Sequence, residues 1–386
     1  MTNYKIPYGK QEITEEDIQA VVATLKSDFI TQGPKVKEFE EKFAKYIGSS
    51  YAVAVANGTA ALHLSIMALG IKPGQKVISP PITFAATTNA VLYNQGEVEF
   101  CDIDPDTILL DIVEVRKKLK NAKPGDYAGI ISVDFAGSPI QMDEFRSLAD
   151  EYGIWLLEDA CHAPGGFYQD SRGEKQNCGN GVYAQAAIFS FHPVKHIACG
   201  EGGMITTNDE KIYQKLLSLR SHGITKNPAE LIENHGGWYH EMQNLGYNYR
   251  LNDIVCSLGI SQLSRSSKAL QKRRLIAAHY FNAFKDISKI KMINQEVSGH
   301  AYHLFVIQTQ QRKELYEYLI ERNIFVQVHY IPVHLHPYYQ KKGHEIGDFP
   351  LAEAYYENCL SLPIFPSLTE EELKFTISTI TAFFNE

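Results

Sequence analysis

The stretch AIFSFHPVKHIACGEGGMITTN, residues 187–208, reads as two apolar strands, AIFSFH (187–192) and GMITTN (203–208). The loop between them carries Lys195, and glycines stand at 200, 202 and 203. Ser190 ends the first strand five residues before Lys195, so a hydroxyl and an amine could converge on one ligand. Most loop lysines are solvated, but lysine is also the side chain that forms Schiff bases with carbonyls, once burial lowers its pKa. The glycines allow tight backbone beside a ligand. The lysine alone does not choose between these readings.

Working outward, five more apolar runs rich in Val and Ile precede this stretch: YAVAVA (51–56), KVISPP (76–81), EVEFCDI (97–103), GIISVDF (129–135) and IWLLEDA (154–160). Helical patterns such as TAALHLSIMAL and QMDEFRSLADEYG separate several of them. Near-continuous apolar strands spaced by helices predict an α/β fold whose mainly parallel sheet is covered on both faces. After residue 250 the texture changes. A helical pattern over 252–286 is followed by HLFVIQT (303–309), a helix in QRKELYEYLIERN, FVQVHY (325–330) and a C-terminal helix opened by a capping box from Thr369 to Glu372. The expected organisation is a large domain over 1–250 and a smaller α+β domain over 251–386. A second capping box, Thr14 to Asp17, opens an N-terminal helix that is free to pack with the smaller domain.

The chain has 386 residues and a net charge of −8 with no basic run, which argues against nucleic acid and anionic membrane surfaces as partners. Six scattered cysteines lack any C-x-x-C pair and read as reduced thiols. The start MTNYKIPYGKQE is too polar for a signal peptide, and polar residues break the most apolar region, AVAVANGTAALHLSIMALG. A cytoplasmic protein with no membrane span is expected.

Three further places carry candidate chemistry. In ANGTAALHL a strand ends, a Gly58–Thr59 turn follows and a helix begins, which suits a phosphate as well as a plain N-cap. In LLEDACHAPG, Asp159 falls at the carboxyl end of a strand, where open α/β sheets bind ligands. A carboxylate there needs a cation, either an arginine or a protonated pyridine nitrogen. His162 follows, within reach of a cofactor ring or of a loop carbonyl. The run HYIPVHLHPYYQKKGH holds His329, His334, His336 and His344, but the spacing fits no common zinc pattern, so no metal is expected. A phosphate turn, a strand-end Asp and a Ser…Lys pair, in that order, match what pyridoxal phosphate requires.

Together TQGPKVKEFE, NGTAALHL, ITFAATTNA, EDACHA, FSFHPVKHIACGEGGMITTND, LRSHG and GYNYRLND resemble the DegT/DnrJ/EryC1/StrS family of sugar-nucleotide aminotransferases, over nearly the whole chain. The resemblance implies a fold-type I transferase using pyridoxal 5′-phosphate. Lys195 would bond covalently to the cofactor and Asp159 would pair with its pyridine nitrogen. Phe84 would stack on the ring, with His162 nearby. Gly58, Thr59 and Ser190 would hold the phosphate, joined by Asn248 from a second subunit of a homodimer. Ile30, Thr31, Gln32, His329 and Tyr330 resemble sugar-nucleotide contacts, as does Arg250. SHGITKNP and WYHEMQ before GYNYRLND are most similar to the pseudaminic-acid branch, which implies glutamate as donor and a UDP-linked 4-keto sugar as acceptor. Other 3- or 4-keto nucleotide sugars are the alternative, with a non-catalytic ligand-binding module behind them. Dehydratases of this fold carry His where this chain has Lys195. Two positions depart from the family: Asn57 replaces a usual Ser, and Ala198–Cys199 replace two threonines.

Overall fold

The structure, a computed structural model, describes residues 5–293 and 298–385, so the outermost ends of the two expected domains, residues 1–4 and 386, lie outside it. All seven apolar runs form one sheet: β1 (Tyr51–Val55), β2 (Lys76–Ser79), β3 (Glu97–Phe100), β4 (Tyr127–Val133), β5 (Trp155–Asp159), β6 (Ala186–Ser190) and β7 (Gly203–Thr207). Their order is β1-β7-β6-β5-β4-β2-β3. Only β7 runs against its neighbours, and the remaining pairs are parallel. The reason is local. The 191–202 connection carries no helix, so the chain returns beside the strand it has just left, whereas parallel pairs need longer crossovers.

Four helices place the site: α1 (Glu15–Leu25), α2 (Pro34–Ile47), α3 (Gly58–Ala68) and α4 (Ala85–Tyr93). Helix α3 is buried on nearly every side, including Ala61, Leu64, Ser65 and Ile66, as expected of a helix that is apolar all round. It packs into a core with Val53, Ile131, Leu157 and Ile188 on one face of the sheet. Phe39, Phe43, Phe189 and Phe191 belong to another core, beneath α2.

The C-terminal part has its own antiparallel sheet of Lys291–Met292, Phe305–Gln308 and Cys359–Leu362. Tyr280, Phe284, Leu319 and Ile380 pack around it, and Ile6 from the N-terminal segment joins the same core. The capping box at Thr369 closes in both directions, through Thr369 N–H to Glu372 (2.9 Å) and Glu372 N–H to the Thr369 hydroxyl (3.2 Å).

Two expectations differ from the structure. The 252–286 pattern is two helices, Asp253–Ser264 and Ser266–Phe284, broken where Arg265 leaves helical geometry at φ −111°. The Arg265 guanidinium reaches across to buried Asp17, which Gln262 also contacts, and this tethers α1. FVQVHY is not a strand. Its backbone groups are taken singly: Phe325 N–H by Ile6 O, Gln327 by Ser361, and His329 O by the Tyr355 hydroxyl.

Candidate active site

A cleft of about 480 Å³ opens at the carboxyl ends of β4, β5 and β6, beside the N-terminus of α3. Gly58, Thr59, Phe84, Asp159, His162, Ser190, Lys195, His329 and Tyr330 all line it. Five expected site residues do not line the cleft of their own chain. Asn248 bridges to Ser221 and Arg250 to Val55, on a segment running beside β1. Ile30, Thr31 and Gln32 form an exposed turn before α2. Buried Asp253 fixes that turn by accepting the Gly33 and Lys35 amides at 2.8 and 2.9 Å, while its own amide bonds Ile30 O.

The turn into α3 supplies anion chemistry. Asn57 caps the helix by accepting the Ala60 amide (2.8 Å). Its oxygen is thereby engaged, and its amide N–H₂ is the part left to donate toward the cleft that Asn57 lines. First-turn amides such as those of Gly58 and Thr59 have no partner within any α-helix. A Cβ at Gly58 would stand 3.0 Å from Ser190 Cβ, so glycine lets the turn close against the Ser190 hydroxyl. Ala198 and Cys199 are buried away from the cleft and offer nothing to a phosphate.

Asp159 is only 6% exposed and forms no ion pair with a Lys, Arg or His side chain among the described residues. Its oxygens accept the Thr87 hydroxyl (2.9 Å) and the Cys161 amide (3.2 Å), and Thr83 in turn bonds Thr87 (2.9 Å). A buried carboxylate aimed into a cleft without a protein cation is suited to a cationic ring nitrogen. The Lys195 amine faces the same space, and desolvation lowers its pKa against the opposing pull of Cys161 and Asp159. Pyridoxal phosphate therefore fits these residues. They provide anion-binding amides and a hydroxyl, a carboxylate for the pyridine nitrogen, an amine for the carbonyl, and Phe84 (62% exposed) at the mouth.

His162 is buried, and desolvation holds it well below the usual histidine pKa. The Ala136 amide donates to its Nδ1 (3.3 Å), so its one proton sits on Nε2 and is given to the Tyr330 hydroxyl (3.3 Å). His329 contacts Ser361 Oγ at 2.9 Å, and burial pushes its pKa down to about 3. Elsewhere in the same run, His334 bonds Glu353 and His344 pairs with Asp348, which are structural roles.

Sequence reasoning missed Tyr8, Thr87, Cys161, Glu201 and His303, which also line the cleft. Thr87 alone left a local signal, because it stands three residues after Phe84 on the first turn of α4.

Behind the site, Asp134, Glu158 and Cys178 form a buried cluster. Asp134 Oδ1 accepts the Ile140 amide and Glu158 Oε1 the Gly179 amide, while Asp134 Oδ2 has no donor. Two buried carboxyls side by side do not both ionise, so a proton between them accounts for the orphan oxygen. Burial pushes Asp134 up to about 7 and raises Glu158, which Asp134 reinforces. A raised carboxyl contributes stability that is complete below the unfolded pKa and is lost as pH rises through the folded one. The window runs from about 4, the ordinary carboxylate value, to about 7. Glu158→Gln keeps the acceptor for Gly179 and removes one titrating group. Its melting temperature should fall less than wild type across that window, and equal slopes would refute the shared proton.

Residues 11–381 match the DegT/DnrJ/EryC1/StrS aminotransferase family. The chain belongs to that family. It is 38% identical over 383 residues to a UDP-4-amino-4,6-dideoxy-N-acetyl-beta-L-altrosamine transaminase of Campylobacter jejuni, covering 97% of this chain and 96% of that protein. It is 37% identical over 387 residues to the spore coat polysaccharide biosynthesis protein SpsC of Bacillus subtilis, covering 98% and 97%. PseC of Helicobacter pylori, an aminotransferase involved in the biosynthesis of pseudoaminic acid, superimposes with a TM-score of 0.89 at 28% identity, over 99% of this chain and 100% of that one.

This fold-type I protein is thus a sugar aminotransferase, and pyridoxal 5′-phosphate is its cofactor. Bound, that cofactor supplies an electron-withdrawing ring that stabilises negative charge at the amino donor's α-carbon. Asp159 would hold a proton on the ring nitrogen, and Lys195 would take and return the migrating proton at Nζ. His162 and Tyr330, joined by their hydrogen bond, line the same cleft. No helix among the described residues is long and apolar enough to cross a membrane.

Proposed function

We propose that the enzyme moves the amino group of glutamate to C4 of a UDP-linked 4-keto-2-acetamido-2,6-dideoxy sugar, giving UDP-4-amino-4,6-dideoxy-N-acetyl-β-L-altrosamine. The observation carrying this reading is near full-length kinship with a transaminase named for that product, together with the fold shared with PseC. The site is compatible with it. His329, Tyr330 and Tyr8 add aromatic rings and hydroxyls to the lining of the cleft, groups suited to contact with a sugar.

The reading includes a homodimer working in the cytoplasm. Asn248 does not line its own chain's cleft, which suits a role at the cofactor phosphate of a second copy. Ile30–Gln32 and Arg250, also outside the cleft, would then meet the nucleotide from either chain. Comparable identity to SpsC, 37% against 38%, supports a second reading, in which another keto nucleotide sugar is the acceptor.

One experiment separates them. Purified enzyme is given glutamate and 4-keto UDP-, dTDP- or GDP-sugars, and the product is solved by NMR. The expected product carries its amine at C4 of the UDP sugar. An amine at C3, or preference for a dTDP-sugar, would overturn this substrate and leave the aminotransferase intact.

A further inference from the structure

His303 lies just before the Phe305–Gln308 strand, 5% exposed, with Nε2 3.5 Å from Lys195 Nζ. Its ring stands 4.2 Å from that of His162, tilted by 36°. The backbone that aims it is held from three sides. Ala301 N–H bonds Gly137 O (2.8 Å) and Leu304 N–H bonds Ala136 O (3.1 Å). The buried Arg273 guanidinium donates to the carbonyls of Tyr302, His303 and Ile364 at 3.2, 3.3 and 2.9 Å. Spending a buried guanidinium on this segment is costly unless the segment's position matters.

The imidazole is neutral, because burial and then Lys195 hold its pKa well below the usual value. It therefore carries one proton on one of two nitrogens. Nδ1 is buried and meets no partner. With the proton on Nδ1, a buried N–H would be orphaned. With it on Nε2, only a lone pair is left unpaired, which folded proteins tolerate more readily. The second tautomer points an N–H at Lys195, and only the free amine, not the ammonium, has a lone pair to receive it.

We propose that His303 is a catalytic residue, donating its Nε2–H to the free Lys195 amine and so keeping that amine in its proton-accepting form. Of the other groups around the amine, Asp159 and Cys161 favour the ammonium. His162, His196 and His329 are all held neutral by burial. His303 is the neutral donor in contact with the amine, set against Asp159. The contact tightens with a small turn of the lysine, as catalytic hydrogen bonds do in going from free to working enzyme. The proposal does not depend on which sugar is aminated.

The test uses cofactor-free enzyme. An amine-acetylating reagent is applied over a range of pH, and modification of the Lys195 peptide is followed by mass spectrometry. His303→Leu keeps the site desolvated but removes the donor. Its profile should move to higher pH, with about tenfold less free amine at a fixed pH, the equivalent of one pKa unit. His303→Gln, whose amide N–H reaches the same place, should stay near wild type. A Leu profile that stays put or moves down overturns the proposal, as does a Gln profile displaced as far as Leu. Should His303→Leu not fold, ¹⁵N shifts of wild-type His303 decide. A protonated Nε2 with a bare Nδ1 supports the assignment, and the reverse tautomer overturns it.

Discussion

Lys195→Ala should lower turnover by at least about 10³-fold, within the range lost when a positioned acid–base group is removed. The amine is the one group facing the cleft that burial both lowers in pKa and leaves able to form a bond to a carbonyl. His162 and His303 stand beside it but are poor substitutes. Both are held neutral, and each already has an assigned direction, His162 toward Tyr330 and His303 toward the lysine itself. Alanine also leaves a gap that water can enter, which weakens the charge interactions around Asp159. The rest of the site survives, because Gly58, Thr59, Ser190 and Asp159 are positioned by their own elements. The variant should therefore still bind pyridoxamine phosphate, as measured by equilibrium dialysis, while glutamate-dependent turnover is lost. Turnover within tenfold of wild type would remove Lys195 from the chemistry.

Much of this site was legible because its residues sit where the strands end. Ser190 closes β6 and Asp159 closes β5, and in an open parallel sheet both ends point to one side. The Gly58–Thr59 turn was legible for the same reason, as a strand gives way there to a helix N-terminus. His303 and Tyr8 were not. Each arrives from a distant part of the chain, and nothing in GHAYHLF or KIPYGK distinguishes a cleft residue from a core or tail residue. The backbone contacts that aim His303 come from Arg273 and from the Ala136–Gly137 turn, partners no local pattern names. FVQVHY misled for a related reason. Its alternation and β-branched residues favour a strand, but strand formation needs a free edge, and the groups that meet this segment are the N-terminal Ile6 and a single bridge to Ser361. The chain breaks at Arg265 because its partner, Asp17, lies on α1, nearly 250 residues away in sequence.

Asp159→Asn should cost about 10²–10³-fold in kcat, the usual loss when one preorganised electrostatic group is removed from an active site. The substitution is nearly silent in shape. Asn Oδ1 still accepts the Cys161 amide. Its new N–H₂ now donates to Thr87 Oγ1, and the Thr87 hydrogen turns to Thr83, which already lies 2.9 Å away. Neither buried bond is lost, so folding and cofactor retention should hold. Only the charge changes. A neutral amide does not keep a proton on the ring nitrogen, and the ring then draws electrons less strongly from the donor's α-carbon. The loss should fall on kcat rather than on KM for the sugar, because buried Asp159 bonds Thr87 and Cys161, and the aromatic lining of Tyr8, His329 and Tyr330 is untouched. It should also appear in the glutamate half-reaction followed alone by absorbance. If that half-reaction ran at the wild-type rate with cofactor fully bound, Asp159 would be a structural partner of Thr87, and the ring nitrogen would have to find its charge elsewhere.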